Sequence, residues 1–237
     1  MTIENASIDL LKIVKKILDS NKIDYWLDEG TLLGAVREKK FIEWDHDIDL
    51  GLWIEAVSKI ESLFREFEKE GIGVCFHNEL KHIKLVKNKV ETDINPYTLL
   101  ENKATRKWYK KNRFGKILDY LIWTLNLSNE NIRLSNAPLS ITRSVIVLGK
   151  IIPKWKKKYL LKILFILFEK IGSKTVKIEI PSVFFNKLKD LMFYKLNFKV
   201  PADTEKYLEY RYGKDWKIPK RDYVYTKDDK SIVKSDL

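Results

Sequence analysis

Trp44-Asp45-His46-Asp47-Ile48-Asp49-Leu50 places three carboxylates at alternate positions of an otherwise largely apolar stretch. In an extended strand, side chains two residues apart share one face, so the three aspartates are predicted to project together. Clustered carboxylates repel one another unless a cation lies among them, and Mg²⁺ prefers oxygen ligands. A solvated acidic turn explains this stretch equally well when it is considered alone.

The residues just upstream predict a strand end at 25–27, a turn at Gly30-Thr31 and a short helix at 32–36. A helix N-terminus after such a turn favours an anion, because backbone N–H groups and the helix dipole face it. Thr31 adds a hydroxyl, Gly30 lets a phosphate approach the backbone, and Arg37 offers a guanidinium. Ordinary helix capping is the simpler interpretation of the turn alone. The aspartate strand that follows favours a phosphate site facing a metal.

These residues carry a resemblance to a known family. Gly30-Thr31-Leu32-Leu33-Gly34-Ala35-Val36-Arg37, Phe41-Ile42 and Trp44-Asp45-x-Asp47-Ile48-Asp49 resemble the signature of the LicD/fukutin family, which belongs to the nucleotidyltransferase-fold superfamily. The resemblance implies a third carboxylate on a later strand, and Asp93 stands at the family's position. Residues 200–219 are similar to the family's closing helix and its Tyr-Gly…Trp…Pro tail. The middle of the chain is not covered by the resemblance.

The resemblance and the hydrophobic pattern together predict an α+β fold: a small, mixed, nucleotidyltransferase-like sheet flanked by helices, with a basic helical insertion. The expected division of the chain is a catalytic core at 1–103, a basic and mostly helical insertion at 104–178, and a C-terminal segment at 179–237 that packs back on the core. Helices are predicted at 1–20, 54–70 and 203–212, strands near 73–77, 81–87 and 90–95, and a strand pair or an extended segment at 192–200.

The family resemblance also implies a function. Family members move phosphocholine or an alditol phosphate from a CDP-activated donor to a hydroxyl of a cell-surface glycan, such as lipopolysaccharide or teichoic acid, and release CMP. The implied cofactor is Mg²⁺, with Mn²⁺ as a possible substitute. The implied metal ligands are Asp45, Asp47, Asp49 and Asp93. The candidate catalytic residues are Asp47, Asp49 and Asp93. The candidate donor-binding residues are Gly30, Thr31, Arg37 and Lys84.

Two other functions remain open from the residues. The first is a nucleotidyltransferase that places NMP on the hydroxyl of a small molecule, which keeps the fold and changes the chemistry. The second is a non-catalytic protein that binds a membrane or RNA. The presence of all the expected carboxylates argues against the second.

The formal net charge of +12 is concentrated in one segment: residues 104–175 contain 16 Lys or Arg against 3 acids. Within it, the apolar run at 159–168 is interrupted by Lys162 and is shorter than the ~20 residues that span a bilayer. Three interpretations are open: attachment to an anionic membrane surface that carries a lipid-linked acceptor, an ordinary helical subdomain, or nucleic-acid binding. No nucleic-acid motif accompanies the charge, so no nucleic-acid partner is expected.

Cys75 is the only cysteine, so no internal disulfide is possible. The first twenty residues lack the cationic and apolar regions of a secretory signal and instead show one apolar helical face. The expected location is therefore cytoplasmic and peripheral, at the inner face of the membrane.

Overall fold

The computed structural model describes residues 2–45, 47–77, 80–126 and 139–233. His46, which the alternation places opposite the aspartates, lies outside the described residues. The helices are α1 (Ile3–Ser20), α2 (Glu29–Arg37), α3 (Val57–Ser62), α4 (Phe64–Lys69), α5 (Arg113–Asn126), α6 (Leu139–Ile151), α7 (Lys154–Leu167), α8 (Thr204–Tyr212) and α9 (Tyr225–Asp228). The strands are β1 (Trp26–Leu27), β2 (Asp47–Trp53), β3 (Gly73–His77), β4 (His82–Lys87), β5 (Val90–Leu100), β6 (Lys103–Lys111), β7 (Ser173–Pro181), β8 (Leu188–Phe193), β9 (Leu196–Pro201) and β10 (Ile232–Val233).

A mixed sheet organises the chain, with strand order β1-β2-β5-β6-β7-β10 and with β4 and then β3 added beside the first half of β5. Strands β2 and β5 are parallel, and the other pairs are antiparallel. The long strand β5 joins two halves of the sheet, because its last residues, 98–100, pair with β6. The α+β fold with a small mixed sheet is therefore confirmed.

The two faces of the sheet have different partners. Ile48 and Leu50 of β2 belong to the main core, together with the apolar face of α1 that includes Leu10 and Leu18. The opposite face carries the aspartates, and beside them Trp123 of α5 packs over the outer strands β3 and β4. Helix α5 therefore lies over the polar face of the sheet, next to the candidate site.

The segment 104–178, expected to be a mostly helical insertion, contains α5, α6 and α7 and has a strand at each end. Residues 103–111 and 173–181 form β6 and β7, which pair along their whole length and extend the sheet. The physical reason is the two-residue alternation of Val176, Ile178 and Ile180, all of which are buried, and this is a strand period. A boundary at 104 therefore cuts a strand that belongs to the core sheet.

Three other expectations can be compared with the structure. The predicted helix 54–70 is broken at Leu63 into α3 and α4, after a short 3₁₀ turn at Ile54–Ala56. The segment 192–200, predicted as a strand pair or an extended segment, contains the end of β8 and most of β9, and the predicted closing helix is confirmed as α8. Of the helices in the described ranges, none combines the length and apolar character needed to cross a bilayer.

Candidate active site

Helix α2 is tied to strand β2 by two hydrogen bonds. The backbone N–H of Asp28 donates to the carbonyl oxygen of Asp49 at 3.0 Å, and the N–H of Asp49 donates to the hydroxyl of Thr31 at 2.9 Å. The helix begins at Glu29, so Gly30 and Thr31 lie in its first turn rather than before it. Thr31 is buried, and its hydroxyl holds the helix against the strand. Its expected contact with a phosphate stays a prediction.

Asp45 lies against the beginning of α2. Strand β2 starts only at Asp47, so the strand alternation predicted for Asp45 is wrong: this residue belongs to the loop before the strand. Its carboxylate nevertheless reaches Gly30, where a Cβ atom would lie 1.9 Å from Asp45 Oδ2. Only glycine leaves room for this approach. A carboxylate at a helix N-terminus is electrostatically favourable, and the phosphate site expected at this turn stays a prediction.

The parallel pairing of β2 and β5 brings the other acids together. Asp49 lies directly opposite Asp93, and Asp93 lies opposite Lys84 of β4, so the three form one row across the sheet. Asp47 precedes Asp49 on the same face and interacts with both Asp45 and Asp93. The four carboxylates singled out from the sequence are therefore neighbours, but Asp93 lines a different cavity from Asp45, Asp47 and Asp49.

Asp47 is held in an environment that opposes its ionisation. Burial raises its pKa to about 8, and the charges of Asp93 and Asp45 add to the effect of burial. The pKa of Asp49 is also raised well above its ordinary value by burial and by neighbouring carboxylates, with Glu29 first among them. The described part of the site around these two residues is therefore short of positive charge.

Asp93 differs from these two because the ammonium group of Lys84 lies against it. Lys84 Nζ lies 3.3 Å from Asp93 Oδ1 and 2.5 Å from Glu91 Oε2. His82 Nε2 lies 3.4 Å from the same Asp93 oxygen. Burial alone would raise the pKa of Asp93, but Lys84 and His82 lower it below its usual range. The roles expected for Asp93 at a metal and for Lys84 at a phosphate stay predictions.

Arg37 lies at the end of α2 and connects it to the C-terminal segment. Its guanidinium donates to Glu38 Oε1 at 2.7 Å and to the carbonyl oxygen of Trp216 at 3.3 Å. The side chain also lines the cavity that contains the aspartates, where phosphate binding is expected.

A buried ionic network beneath the aspartates was not predicted. Arg211 of α8 is fully buried and contacts Asp28 at 3.4 Å, Glu29 at 3.1 Å and Asp229 at 2.5 Å. Arg106 of β6 also pairs with Glu29. Burial would raise the pKa of Glu29, yet these two guanidiniums hold it below its usual value. Glu29 has a φ of 43°, a strained backbone conformation that this network stabilises.

The network continues to the candidate metal ligands. Arg106 donates to Asn95 Oδ1 at 2.5 Å, and Asn95 Nδ2 donates to Asp49 Oδ1 at 3.1 Å. Asn95 and Arg106 therefore fix the orientation of the Asp49 carboxylate. Local sequence patterns contain little sign of this arrangement, because the partners come from separate strands and from residues beyond 200.

A cavity of about 490 Å³ opens over these groups. Its floor includes Gly30, Asp45, Asp47 and Asp49, and much of its wall is aromatic and comes from the C-terminal segment 212–225. That segment returns to the core through Tyr225, whose hydroxyl donates to Glu29 Oε1 at 2.9 Å. The C-terminal part of the chain thus completes the site that the first half begins.

Comparison with known proteins agrees with this arrangement. Residues 22–122 match the family model described as LicD/FKTN/FKRP, nucleotidyltransferase domain. These residues, fewer than half of the chain and called the LicD domain below, resemble the LicD/fukutin family. The matched range contains α2, β2 and β5, and therefore every candidate site residue of this LicD domain that was named from the sequence.

The LicD domain also resembles individual proteins. It is 42% identical over 52 residues to the ribitol 5-phosphate transferase FKRP of Homo sapiens, and these residues are 22% of this chain and 10% of that protein. It is 44% identical over 43 residues to the lipopolysaccharide cholinephosphotransferase LicD of Haemophilus influenzae, or 18% of this chain and 16% of that protein. The chain thus spans a small part of the length of these relatives. The solved structure of the lincosamide antibiotic adenylyltransferase LnuA with bound lincomycin aligns with a TM-score of 0.38 and 11% identity, over 83% of this chain and 80% of that chain.

The donor set of the LicD domain has the chemistry of a site for a hard divalent cation. Within the described ranges, no group of three or more His, Cys, Asp or Glu side chains already has the spacing of metal ligands. Asp45, Asp47 and Asp49 nevertheless line one cavity, and burial together with the charges of Asp93 and Asp45 raises the pKa of Asp47 there. Carboxylate oxygens in excess of cations suit Mg²⁺ or Mn²⁺.

Proposed function

We propose that this chain is a Mg²⁺-dependent transferase. In this proposal it moves a phosphorylated small group, phosphocholine or an alditol phosphate, from a CDP-activated donor to a hydroxyl of a cell-surface glycan and releases CMP. The family match and the names of the relatives, a ribitol 5-phosphate transferase and a cholinephosphotransferase, support this class of reaction. One observation carries it in this chain: the carboxylate cluster lies directly beside the N-terminal turn of α2, within one cavity.

In the proposed reaction, an oxygen of the acceptor hydroxyl attacks phosphorus, a new P–O bond forms, and the P–O bond to CMP breaks. Asp47 and Asp49, with Asp45 beside them, would hold the cation, which neutralises charge on the diphosphate and on the departing CMP when it is bound. Arg37 and the backbone at Gly30, which line the same cavity, are the proposed partners of the phosphate oxygens. Asn95 keeps the Asp49 carboxylate oriented.

The proton of the acceptor hydroxyl must leave during this attack. Asp93 is the proposed acceptor, because it lies opposite Asp49 in the sheet and is held ionised by Lys84. An ionised carboxylate that is already paired is a weak base, so the proton transfer is expected to accompany bond formation rather than to precede it. Lys84 would at the same time offset the charge on the transferred phosphoryl group.

The test of this function is product analysis with purified protein. Incubation with CDP-choline, CDP-ribitol, CDP-glycerol and the NTPs, with and without Mg²⁺, distinguishes the candidates. Release of CMP from one CDP donor supports the proposal, and release of pyrophosphate from an NTP supports a nucleotidyltransferase instead. Asp49→Asn should abolish CMP release, whereas Asp190→Asn, at a carboxylate exposed on β8, should not change it. Equal activity of both variants would refute the assignment of the site.

We further propose that the enzyme binds an anionic membrane surface through α7, at the inner face of the membrane. Trp155, Tyr159 and Ile163 recur every four residues on this helix and are exposed, by 70%, 67% and 38%. Residues at this spacing share one helical face. Lys156 and Lys158 are exposed beside them. An exposed aromatic and aliphatic face with flanking lysines suits the boundary of an anionic bilayer.

Co-sedimentation with vesicles tests this surface. Trp155→Ser with Tyr159→Ser should reduce binding to phosphatidylglycerol vesicles at least tenfold, and Lys156→Glu with Lys158→Glu should do the same in low salt. Val183→Ser removes an equally exposed apolar side chain elsewhere and serves as the control. Unchanged sedimentation of both double variants, or a dimer that dissociates on the first double substitution, would refute the membrane assignment.

A further inference from the structure

A second and larger cavity, of about 1140 Å³, lies on the other side of Trp108. Strands β4 to β7 form its floor, and α5 forms one wall with Tyr120 and Trp123. Seven lysine or arginine side chains line it, against three carboxylates. We call this cavity the basic cleft. It lies within the segment in which the positive charge of the sequence is concentrated.

The positive charge of the basic cleft is only partly neutralised by the protein. Lys111 pairs with Asp119 at 2.6 Å, and Lys84 is held by Glu91 and Asp93. Lys107 and Lys116 form no ion pair with any residue in the described ranges. These two side chains are exposed, and they face the cleft from β6 and α5. The cleft therefore presents cations that an external anion can satisfy.

The first cavity has the opposite charge. Five carboxylates and three cations line it. Trp108 belongs to the walls of both cavities and packs on Tyr225, with 5.5 Å between ring centroids. Asp47 and Asp49 face the acidic side, while Asp93 faces the basic cleft. Asp47 and Asp49 thus border one cavity and Asp93 borders the other, and each cavity is large enough for a substrate.

We propose that the basic cleft binds the acceptor, and that the acceptor carries negative charge, as phosphate groups, near the hydroxyl that reacts. This inference rests on the proposed function, since it assigns the second substrate of the same site. A diphosphate donor with a divalent cation suits the acidic cavity, whereas a phosphate-bearing glycan without a cation suits the basic one. The aromatic wall of α5 offers apolar faces on which sugar rings can pack.

Asp93 gives the cleft a geometric link to the reaction. An acceptor held by Lys107 and Lys116 would lie on the side from which Asp93 reaches the row shared with Asp49. The acceptor hydroxyl would then meet its proposed proton acceptor before it meets the donor. Two sources supply the same chemistry: a glycan that contains phosphodiesters, and a glycan attached to a lipid diphosphate.

Binding can be measured without turnover, because Trp108 and Trp123 line the cleft and their fluorescence should respond to a ligand. The probes are a glycerol-phosphate oligomer, neutral maltohexaose as its uncharged counterpart, and vesicles that contain a polyprenyl diphosphate. We expect the oligomer or the diphosphate vesicles to bind and maltohexaose to bind at least tenfold more weakly. Affinity should fall as salt is raised. Equal binding of the oligomer and maltohexaose, or binding of neither phosphate probe, would overturn the proposal.

Matched variants locate the binding. Lys107→Glu with Lys116→Glu should weaken phosphate-probe binding at least tenfold. Lys110→Glu with Lys174→Glu changes two neighbouring exposed lysines, paired across β6 and β7 outside the cleft, and should leave binding within twofold. Equal losses in both double variants would mean that the probes sense only net charge, and the cleft would lose its assignment.

Kinetics with an active donor give a separate readout. The Lys107 and Lys116 double variant should raise the KM for a phosphate-bearing acceptor at least tenfold and leave the KM for the CDP donor within twofold. A raised donor KM with an unchanged acceptor KM would instead place the donor in the cleft and overturn the proposal. If no CDP donor turns over, the proposed function fails, while the fluorescence titrations still decide whether the cleft binds phosphate.

Discussion

Asp47→Asn should make the protein more stable while it removes activity. In the absence of a cation, the pKa of Asp47 is about 8 instead of the ordinary 3.8, because the carboxyl is buried and faces Asp93 and Asp45. A folded-state pKa above the unfolded value means that folding takes up a proton between about pH 4 and pH 8. Stability from this group is therefore present at low pH and is lost as the pH rises through that window.

The magnitude follows from the pKa difference. At ~1.4 kcal/mol per pKa unit, raising the pKa from 3.8 to about 8 costs about 6 kcal/mol once Asp47 is fully ionised. Side chains and water reorganise around an ionised carboxylate and recover part of this cost, so we expect the asparagine variant to gain about 2 kcal/mol at pH 8. Near pH 4 the gain should vanish, because the wild-type carboxyl is then protonated and asparagine has nearly its shape.

Urea unfolding at pH 4.5, 6 and 8, with a chelator present, measures these differences, and thermal unfolding with Mg²⁺ measures the effect of a cation. Mg²⁺ should stabilise the wild type at pH 8 and should have little effect on Asp47→Asn. Asp190→Asn is the control, since that carboxylate is exposed on β8 and paired with Lys199. An asparagine variant that is less stable than the wild type at pH 8, or that Mg²⁺ stabilises equally, would refute the description of Asp47 as a strained cation ligand.

Three further substitutions test other parts of the site. Gly30→Ala should lower turnover at least tenfold, with a small loss of thermal stability, because the new methyl group displaces the flexible carboxylate of Asp45. Steady-state kinetics measure the first effect, and calorimetry measures the second. Asn95→Leu should lower kcat about tenfold and leave the donor KM unchanged, because it frees the Asp49 carboxylate from its hydrogen bond. Arg211→Met should cost about 3–5 kcal/mol in urea unfolding, because it leaves buried carboxylates without their cation; a loss below 1 kcal/mol would contradict that account.

The parts of the fold that were predictable are those that local pattern controls. The alternation in β2 and the amphipathic face of α1 predicted a buried strand and a helix, and both are present. The strands β6 and β7 were missed in part because residues 106–111 carry basic and aromatic residues in adjacent pairs, which hides the two-residue period of a strand. The pairing of β6 with β7 joins residues that are far apart in the sequence, with helices α5, α6 and α7 between them. It therefore cannot be predicted from a short stretch of sequence.

In the candidate site, too, the residues with a local sequence pattern were predicted and those that depend on distant partners were not. The carboxylates of β2 and the glycine of α2 were found because their spacing is local and chemically specific. Arg106 and Arg211 were not found, although both pair with Glu29 and Arg211 is fully buried. A lysine or arginine in a basic sequence gives no local sign that it is buried, because burial depends on partners brought from distant segments. The signal that did exist for Arg211 was its place within the closing helix of the family resemblance.

The position of Trp108 bears on how two charged substrates reach one row of carboxylates. A diphosphate donor and a phosphate-bearing acceptor repel each other, and both would prefer the same cations if they entered through one opening. The indole of Trp108 lies between the acidic and the basic cavity and would keep the two substrates apart. The donor would then bind with its cation on the acidic side, and the acceptor would bind to the lysines on the basic side. Replacement of Trp108 by alanine would merge the cavities, and the acceptor would then compete with the donor diphosphate for the cation. Substrate inhibition by the acceptor in Trp108→Ala, absent in the wild type, is the kinetic consequence of that loss of separation.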